Sequence, residues 1–138
     1  MDIRFPAKLE AQTDGSILVT FVDLEDTFTE GRTREEALFN AAEVLSGMLA
    51  WRLEKGKGIP APSKKVKGAV YLAPDARTQA AMLLRLARGE RTLSDLARAL
   101  ETSWPAANRL EDPKHWPSLR TLERAAAALG KRLVLSLE

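Results

Sequence analysis

The sequence lacks cysteine and has a single histidine, His115, among its 138 residues. The absence of cysteine excludes disulfides, cysteine-ligated zinc and thiol catalysis, and a lone histidine excludes any site built from several histidines. No apolar run approaches the roughly 18 residues that a membrane span requires. The N-terminal residues MDIRFPAKLE carry charge where a signal peptide has its apolar centre, so we expect a cytoplasmic protein with no membrane partner.

What is present is an ordinary globular composition, 45% hydrophobic and 29% charged, with an uneven distribution of charge. The net charge of +2 combines −4 over residues 1–62 with +6 over residues 63–138. An acidic half joined to a basic half predicts two surfaces with different partners, a basic protein for one and nucleic acid for the other. An excess of positive charge of this size is also common in proteins that do not bind nucleic acid. The sequence motifs must therefore decide between the two interpretations.

The N-terminal region has the periodicity of a small α/β layer. Alternating apolar residues over positions 3–9 predict a half-buried strand, Asp14-Gly15 a turn, and SILVTFV a central strand. The sequence TREE at residues 33–36 predicts a capping box that opens a helix, and this helix should end near Glu54 before KGKGIPAP. The short apolar run AVYL completes the order strand-strand-helix-strand, an α+β arrangement with one helix on a sheet.

The C-terminal region is predicted to be helical. The segment APDARTQAAMLLRLARGE predicts a helix that either begins the second domain or bridges the two. Two short helices with a tight turn near Glu101 follow, and then a third helix ending at Gly130. The final residues, RLVLSLE, alternate as a strand would. We therefore predict one domain over residues 1–73 and a second, all-α apart from its terminal strand, over residues 74–138.

Two short helices joined by a tight turn at a steep angle are typical of a helix-turn-helix. The order LARALETSWPAANRLED…PSLRTLERAAAALG resembles the phage-repressor-like helix-turn-helix family over roughly residues 90–130. That family usually has glycine at the turn, where this chain has Glu101. A positive φ at Glu101 would therefore cost on the order of 1 kcal/mol.

Within that motif the second helix is the candidate recognition helix. Asn108 has the groups to pair with adenine, and Arg109 those to pair with guanine or phosphate. A helix N-terminus and the following loop are suited to phosphate contacts. Each of two residues has an alternative role. Trp104 either contacts DNA or fills the core of its own domain, and Arg109 either contacts DNA or is only a solvated charge. The predicted DNA-binding residues are Ser103, Trp104, Pro105, Asn108, Arg109, Lys114 and His115.

The acidic segment DLEDTFTEG suggests, at first sight, a metal-dependent nuclease, since clustered carboxylates hold Mg²⁺ for phosphodiester cleavage. Nuclease sites of the ribonuclease H type draw their carboxylates from several separated elements, whereas these acids are crowded into one loop. We therefore predict no enzyme activity, no metal site and no cofactor.

The N-terminal half is also similar to the N-terminal domain of HicB antitoxins. The shared features are a proline after an aromatic residue in the first strand, a glycine turn, VTFVDL at a strand end, TEGRTREEA at a helix entry and GIPAP at its exit. One branch of that family carries a C-terminal helix-turn-helix with ALGK near its end, as here. The resemblance thus spans nearly the whole chain and depends on the combination of motifs.

The resemblance implies a non-enzymatic antitoxin with a partly degraded ribonuclease-H-like N-terminal domain. That domain would bind and neutralise a HicA-type toxin, a small basic mRNA-cleaving protein, while the C-terminal domain would bind operator DNA of its own operon as a homodimer or higher oligomer, a tetramer included. A stand-alone transcriptional regulator, whose N-terminal domain binds a ligand or only oligomerises, is the alternative. The toxin-facing residues implied by position are Asp23, Leu24, Glu25, Asp26, Phe28 and Glu30.

Two of these assignments have a plain structural alternative. Leu24 and Phe28 are expected either to anchor the toxin or to pack on the domain's own helix, with the acids merely solvated. The terminal strand RLVLSLE is expected either to pair two copies of the chain, since a terminal strand has a free edge, or to pair within its own chain.

Overall fold

The computed structural model describes all 138 residues as an α+β chain with one four-stranded antiparallel sheet and five helices. The strands lie side by side in the order β3-β2-β1-β4. None of the five helices is long and apolar enough to cross a bilayer. The elements, in chain order, are β1 (Phe5–Ala11), β2 (Ile17–Phe21), β3 (Phe28–Gly31), α1 (Arg34–Glu54), β4 (Val70–Leu72), α2 (Ala76–Arg88), α3 (Leu93–Ala99), α4 (Trp104–Arg109) and α5 (Leu119–Ala128).

The predicted N-terminal hairpin is confirmed. Strands β1 and β2 pair antiparallel with Ala7 opposite Phe21, and Gly15 takes the positive φ of 89° that the turn requires. The Asp14 carboxylate accepts hydrogen bonds from the backbone N–H of Ser16 at 2.9 Å and from its hydroxyl at 2.6 Å. These bonds to Ser16 lower the pKa of Asp14, because they favour the charged form.

A third strand precedes the helix, so the predicted order strand-strand-helix-strand is wrong by one element. Strand β3 has only four residues, Phe28–Gly31, and pairs antiparallel with β2. This segment was predicted to be part of an acidic loop, because four residues are too few to show a clear alternation. Its pairing partner, β2, supplies the ordering that the segment cannot supply alone.

Helix α1 covers one face of the sheet and follows the predicted bounds closely. The Thr33 hydroxyl oxygen accepts the N–H of Glu36 at 3.1 Å, so one half of the predicted capping box is present. Fully buried residues recur along one face of the helix and form most of the first core with β1 and β2. These residues are Ala37, Ala41, Leu45 and Leu49.

Helix α2 contributes to both hydrophobic cores. Ala81 and Met82 belong to the first core with the sheet and α1, whereas Leu84 belongs to the second. The start of α2 is also tied to α1, because the backbone N–H of Asp75 donates to the Ser46 hydroxyl at 2.8 Å. The helix is therefore a bridge, which the sequence left as one of two alternatives.

The second core is built by helices alone. It joins α2, α3, α4 and α5 through seven buried residues, namely Leu84, Leu96, Ala97, Ala107, Leu110, Ala125 and Leu129. Gly130 ends α5 with a φ of 72°, as predicted. The terminal strand predicted for RLVLSLE is absent: residues 132–138 have no regular secondary structure and pair with no strand in the single chain. Apolar alternation alone does not make a strand, since a strand needs a neighbour for its hydrogen bonds.

Candidate protein-binding and nucleic-acid surfaces

The acidic turn, residues 23–27, connects β2 to β3 in a fixed conformation. The backbone N–H of Phe21 donates to the Thr27 carbonyl at 3.0 Å, and the buried Thr27 hydroxyl donates to the Glu25 carbonyl at 3.0 Å. Asp26 takes a φ of 53°, a left-handed conformation that aspartate tolerates better than most residues. The carboxylates of Glu25 and Asp26 are thus presented to solvent on an ordered support.

Two predicted toxin-facing residues have structural contacts within the chain. Leu24 is only 3% exposed and belongs to the first core, as its structural alternative held. The Asp23 carboxylate accepts the backbone N–H of Ser63 at 2.8 Å and also its hydroxyl, which fixes the segment that follows α1. Asp23 and Leu24 therefore hold the acidic turn in place, and other residues form the surface of the turn that a partner could contact.

Phe28 and Glu30 lie on the outer face of the sheet, opposite the face that α1 covers. Phe28 is 58% exposed, which contradicts its packing on the chain's own helix. The pairing register places other side chains of β1 and β2 beside these two. One row across the strands contains Glu10, Leu18 and Glu30, and the next contains Lys8, Thr20 and Phe28.

Leu18, Thr20 and Val22 also belong to this outer face, although they were not among the predicted site residues. The available signal was that SILVTFV is apolar at both parities, although only one of them can face the core. Val22 is exposed, while Val19 and Phe21 are buried on the opposite side. The acidic turn thus adjoins the outer sheet face, which also carries the cation Lys8. We call the acidic and apolar residues of this surface the acidic strip, namely Glu25, Asp26, Phe28, Glu30, Leu18 and Val22.

In the C-terminal half, α4 is held with one face buried and the other free. Ala107 and Leu110 pack into the second core, while the Ser103 hydroxyl oxygen accepts the N–H of Ala106 at 3.3 Å and begins the helix. Pro105 lies in the first turn, where a missing N–H costs nothing. The opposite side, here called the outer face of α4, consists of Trp104, Pro105, Asn108 and Arg109, all of them exposed.

Trp104 is 50% exposed and is absent from the second core. The alternative that it plugs the domain's own interior is therefore wrong. Since Trp104 and Asn108 are four residues apart, they lie on the same side of the helix. A half-exposed indole beside an amide and a guanidinium is an arrangement suited to a partner.

The turn between α3 and α4 has the positive φ at Glu101 that was predicted to cost free energy. Glu101 has a φ of 53°. Its N–H donates to the Arg98 carbonyl at 3.1 Å, and the N–H of Thr102 donates to the Ala97 carbonyl at 2.9 Å. These two bonds define a Schellman motif, whose left-handed position glycine normally occupies.

An ion pair fixes the far end of α4. Arg88, near the end of α2, donates from Nε and Nη2 to the two carboxylate oxygens of Glu111 at 2.6 and 3.0 Å. The pair is largely shielded from solvent, and the hydrogen bond to Glu111 raises the pKa of Arg88. Its two-point geometry restricts how α4 can rotate against α2.

The loop after α4 contacts the end of α1 and the first turn of α2. The Lys114 ammonium lies 3.4 Å from the Glu54 carboxylate at the end of α1, and the Arg77 guanidinium stacks 4.9 Å from the ring centroid of Trp116. The predicted phosphate contact Lys114 therefore points toward α1 in the free chain. Its ammonium remains available, since an exposed pair of this kind stabilises by about 1 kcal/mol at most. His115 is half-buried.

The comparisons with known proteins agree on one class, the antitoxins of bacterial toxin–antitoxin pairs. A family model described as "HicB_like antitoxin of bacterial toxin-antitoxin system" matches residues 4–77. Antitoxin HicB 2 of Photorhabdus laumondii is 31% identical over 134 residues, which cover 97% of this chain and 96% of the relative. Antitoxin HicB 1 of the same organism is 28% identical over 99% of this chain and 88% of its own length, and Antitoxin HicB of Escherichia coli K12 is 29% identical over 96% and 98%.

The chain belongs to the HicB-like antitoxin family. Members of this family are not enzymes in general, and membership implies a toxin as partner. The predicted family, the antitoxin role and the absence of enzymatic activity are therefore confirmed by the relatives.

Proposed function

We propose that the α3–turn–α4 unit is a helix-turn-helix that binds operator DNA and represses the chain's own operon. The observation that carries the proposal is the outer face of α4, where an exposed tryptophan, an amide and a guanidinium share one side of a helix whose other side is buried. Asn108 is suited to bidentate pairing with adenine, and Arg109 to guanine or phosphate. The Arg88–Glu111 pair would keep that face at a fixed angle.

We further propose that the acidic strip binds and neutralises the toxin, a HicA-type, basic, RNA-cleaving protein. The carboxylates of Glu25, Asp26 and Glu30 would compete with RNA phosphates for the toxin's cationic surface and accelerate encounter. Exposed Phe28 would supply an apolar anchor of the kind that dominates binding energy. The layer that carries the strip would be the partly degraded ribonuclease-H-like domain, residues 1–73, that the family resemblance implies.

A metal-dependent nuclease is not supported. The Asp23 carboxylate is engaged by Ser63, and no group of three or more acidic or histidine side chains is arranged to hold a metal ion. The acids of the turn therefore lack the convergent arrangement that a hard cation requires.

Operator binding at high specificity calls for two copies of the chain. One helix-turn-helix covers too few base pairs, so a two-fold pair should read two half-sites about one DNA turn, roughly 34 Å, or a multiple of that apart. A homodimer is the smallest assembly that meets this requirement, and a tetramer would be a pair of such dimers.

Arg109→Ala tests the DNA half of the proposal. Operator affinity, measured by fluorescence anisotropy on the promoter of the chain's own operon, should fall roughly 10- to 100-fold. Toxin neutralisation, measured as protection of RNA from cleavage, should stay unchanged. Arg34→Ala removes the same charge from the start of α1 and serves as the matched control. Equal loss of both functions in Arg109→Ala would overturn the assignment.

The double charge reversal Glu25→Lys/Glu30→Lys tests the toxin half, because both residues are exposed and neither has a left-handed backbone. Association with the toxin at low salt should slow by about tenfold or more, because steering is lost. Operator affinity should be retained, and Glu123→Lys on the exposed side of α5 is the control. Full neutralisation of the toxin by the double variant would contradict the proposal that the acidic strip binds it. A wild-type chain that binds its promoter, yet neither co-purifies with a toxin nor neutralises one, would favour the stand-alone regulator.

A further inference from the structure

The segment between α1 and β4 ends in a lysine-rich loop, residues 63–69, which we call the basic loop. Its three lysines, Lys64, Lys65 and Lys67, are exposed, and none of them forms an ion pair within the chain. They contribute +3 to the net charge of +6 that residues 63–138 carry. Half of the positive charge that predicted nucleic-acid binding therefore lies next to the sheet and not in the helices α3 and α4.

The basic loop has a fixed conformation. Its first residue, Ser63, donates from both its backbone N–H and its hydroxyl to the Asp23 carboxylate. The Tyr71 hydroxyl donates to the Ser63 carbonyl at 2.7 Å and accepts the N–H of Val66 at 3.1 Å. The N–H of Ala69 closes the turn on the Val66 carbonyl at 3.2 Å. The loop is thus ordered without any of its lysines being neutralised.

The basic loop lies over the outer face of the sheet, beside the acidic strip. Tyr71 faces Pro6 across the β1–β4 pair, and Pro6 alternates with the core residues on either side of it. Since the Tyr71 hydroxyl holds the loop, the loop lies on the same outer face. The contact of Ser63 with Asp23 joins it to the acidic turn. Cationic and anionic groups are therefore neighbouring parts of one surface.

Arg4 adds a fourth cation to the basic loop. With Lys64 and Lys65 it lines an open depression of about 390 Å³, in which Asp2 is the only carboxylate side chain. The Glu138 carboxylate at the end of the chain also contacts Arg4. Both residues of this pair are exposed, so a carboxylate of a partner can displace Glu138 at little cost. The depression therefore has the charge and the access that a carboxylate ligand requires.

We infer that the basic loop and Arg4 bind carboxylate side chains of the toxin, next to the cationic toxin surface that the acidic strip covers. This inference rests on the proposed toxin binding and deepens it, because it names a second contact of opposite sign. Two patches of opposite charge side by side are satisfied together in only one orientation of the partner. The basic loop would thus determine orientation and the choice of toxin.

The neighbouring acids favour a protein over a nucleic acid as the ligand of the basic loop. Residues 1–73 have a net charge of −1, made up of −4 from residues 1–62 and +3 from the loop. A nucleic acid carries charge of one sign only, so strands bound at the loop would be repelled by Glu25 and Asp26 beside it. A folded protein carries both signs and can match both patches.

The backbone of Lys65 allows binding to be separated from folding. Its φ of 54° is left-handed, which is unfavourable for lysine and free of strain for glycine. The double variant Lys64→Ala/Lys65→Gly should therefore unfold at the same temperature as the wild type or a higher one. Its dissociation constant for the toxin of the same operon, measured by calorimetry at low salt, should rise at least tenfold. The difference should shrink at high salt, where charges are screened.

Lys55→Ala/Lys57→Ala is the matched control, because it removes the same charge from the end of α1, on the other side of the sheet. This control should leave the affinity for the toxin within about twofold of the wild type. An equal loss in both double variants would show that only net charge matters and would overturn the inference. So would a Lys64→Ala/Lys65→Gly chain that binds the toxin normally but binds RNA or operator DNA more weakly.

Carbodiimide cross-linking of the wild-type complex tests the contact directly, since the reagent joins a lysine amine to a touching carboxylate as an amide. Mass spectrometry should find Lys64 or Lys65 linked to an aspartate or glutamate of the toxin. A complex that forms but yields no such link would refute this inference alone. A chain that forms no complex with the toxin would refute the proposed function and this inference with it.

Discussion

Arg88 and Glu111 are joined at two points, with both carboxylate oxygens of Glu111 bonded to the guanidinium of Arg88. Their side chains are 17% and 8% exposed, whereas the ion pair of Arg98 with Asp95 is 75% and 41% exposed. The same chemistry thus occurs twice in the C-terminal half, once shielded and once open to solvent. This difference allows the contribution of solvent shielding to the free energy of an ion pair to be measured.

Arg88→Ala should destabilise the chain by about 1.5–3 kcal/mol, because a shielded carboxylate loses its charged partner. Arg98→Ala should cost less than about 1 kcal/mol, since solvent already screens that pair. The free energy of unfolding from urea titration distinguishes the two. Equal effects would mean that the Arg88–Glu111 pair contributes no more than a surface contact.

Glu101→Gly should stabilise the chain by about 0.5–1 kcal/mol. The substitution relieves left-handed strain at the turn, and the larger entropy that glycine gives the unfolded chain offsets part of the gain. Gly130→Ala changes the same position of the Schellman motif that ends α5, in the opposite chemical direction, and should destabilise. Thermal unfolding of both variants checks the sign, and a loss of stability in Glu101→Gly would show that its side chain makes a compensating contact.

Gly31 and Gly47 should respond in opposite directions to alanine. A Cβ at Gly31 would lie 2.3 Å from the backbone nitrogen of Ala37, so Gly31→Ala must push β3 away from α1 at a cost of about 1–3 kcal/mol or more. A Cβ at Gly47 meets nothing within 4 Å. Because Gly47 lies inside α1, Gly47→Ala should stabilise by about 0.5–1 kcal/mol. Chemical denaturation of the two variants tests the pair, and a common sign would refute the close approach.

Asp95 makes the C-terminal half sensitive to acid. The backbone N–H of Thr92 donates to its carboxylate at 3.0 Å and is the main cause of its lowered pKa. A carboxyl group whose pKa is lower in the folded state stabilises above its unfolded pKa, and this stabilisation is lost as pH falls through the folded value. The stability advantage of the wild type over Asp95→Asn should therefore shrink as pH falls from about 5 to about 3. Glu123→Gln, an exposed acid on α5, is the control, and a constant advantage for the wild type would contradict the capping role.

The long helices and the hairpin could be predicted because they follow from local chemistry. Helix α1 is specified by its cap at Thr33 and by apolar residues at helical spacing, and the hairpin by Asp14 and Gly15. Strand β3 escaped prediction because four residues gain their order from β2, a neighbour that no window of sequence reveals. The tail shows the converse error, since its alternation is real but no strand lies beside it within one chain.

The candidate surfaces were predictable in position and less so in orientation. The outer face of α4 follows from helical spacing, which already separates Asn108 from Ala107. Leu24 and Phe28 looked equivalent in sequence, yet one is buried and the other exposed. Whether each of them is buried depends on which side of the β2–β3 turn meets α1. That arrangement exists only once the sheet and the helix have packed together.

Helix α2 is shared between the two cores, and this affects how the protein unfolds and is degraded. Met82 packs with the sheet and Leu84 with the helices beyond it, so melting of either half removes part of the packing that holds α2 in place. We therefore expect the whole chain to unfold in one cooperative transition. A protease that gains access through either half would then destroy the acidic strip and the outer face of α4 together, and the chain's lifetime in the cell would be set by its weaker core.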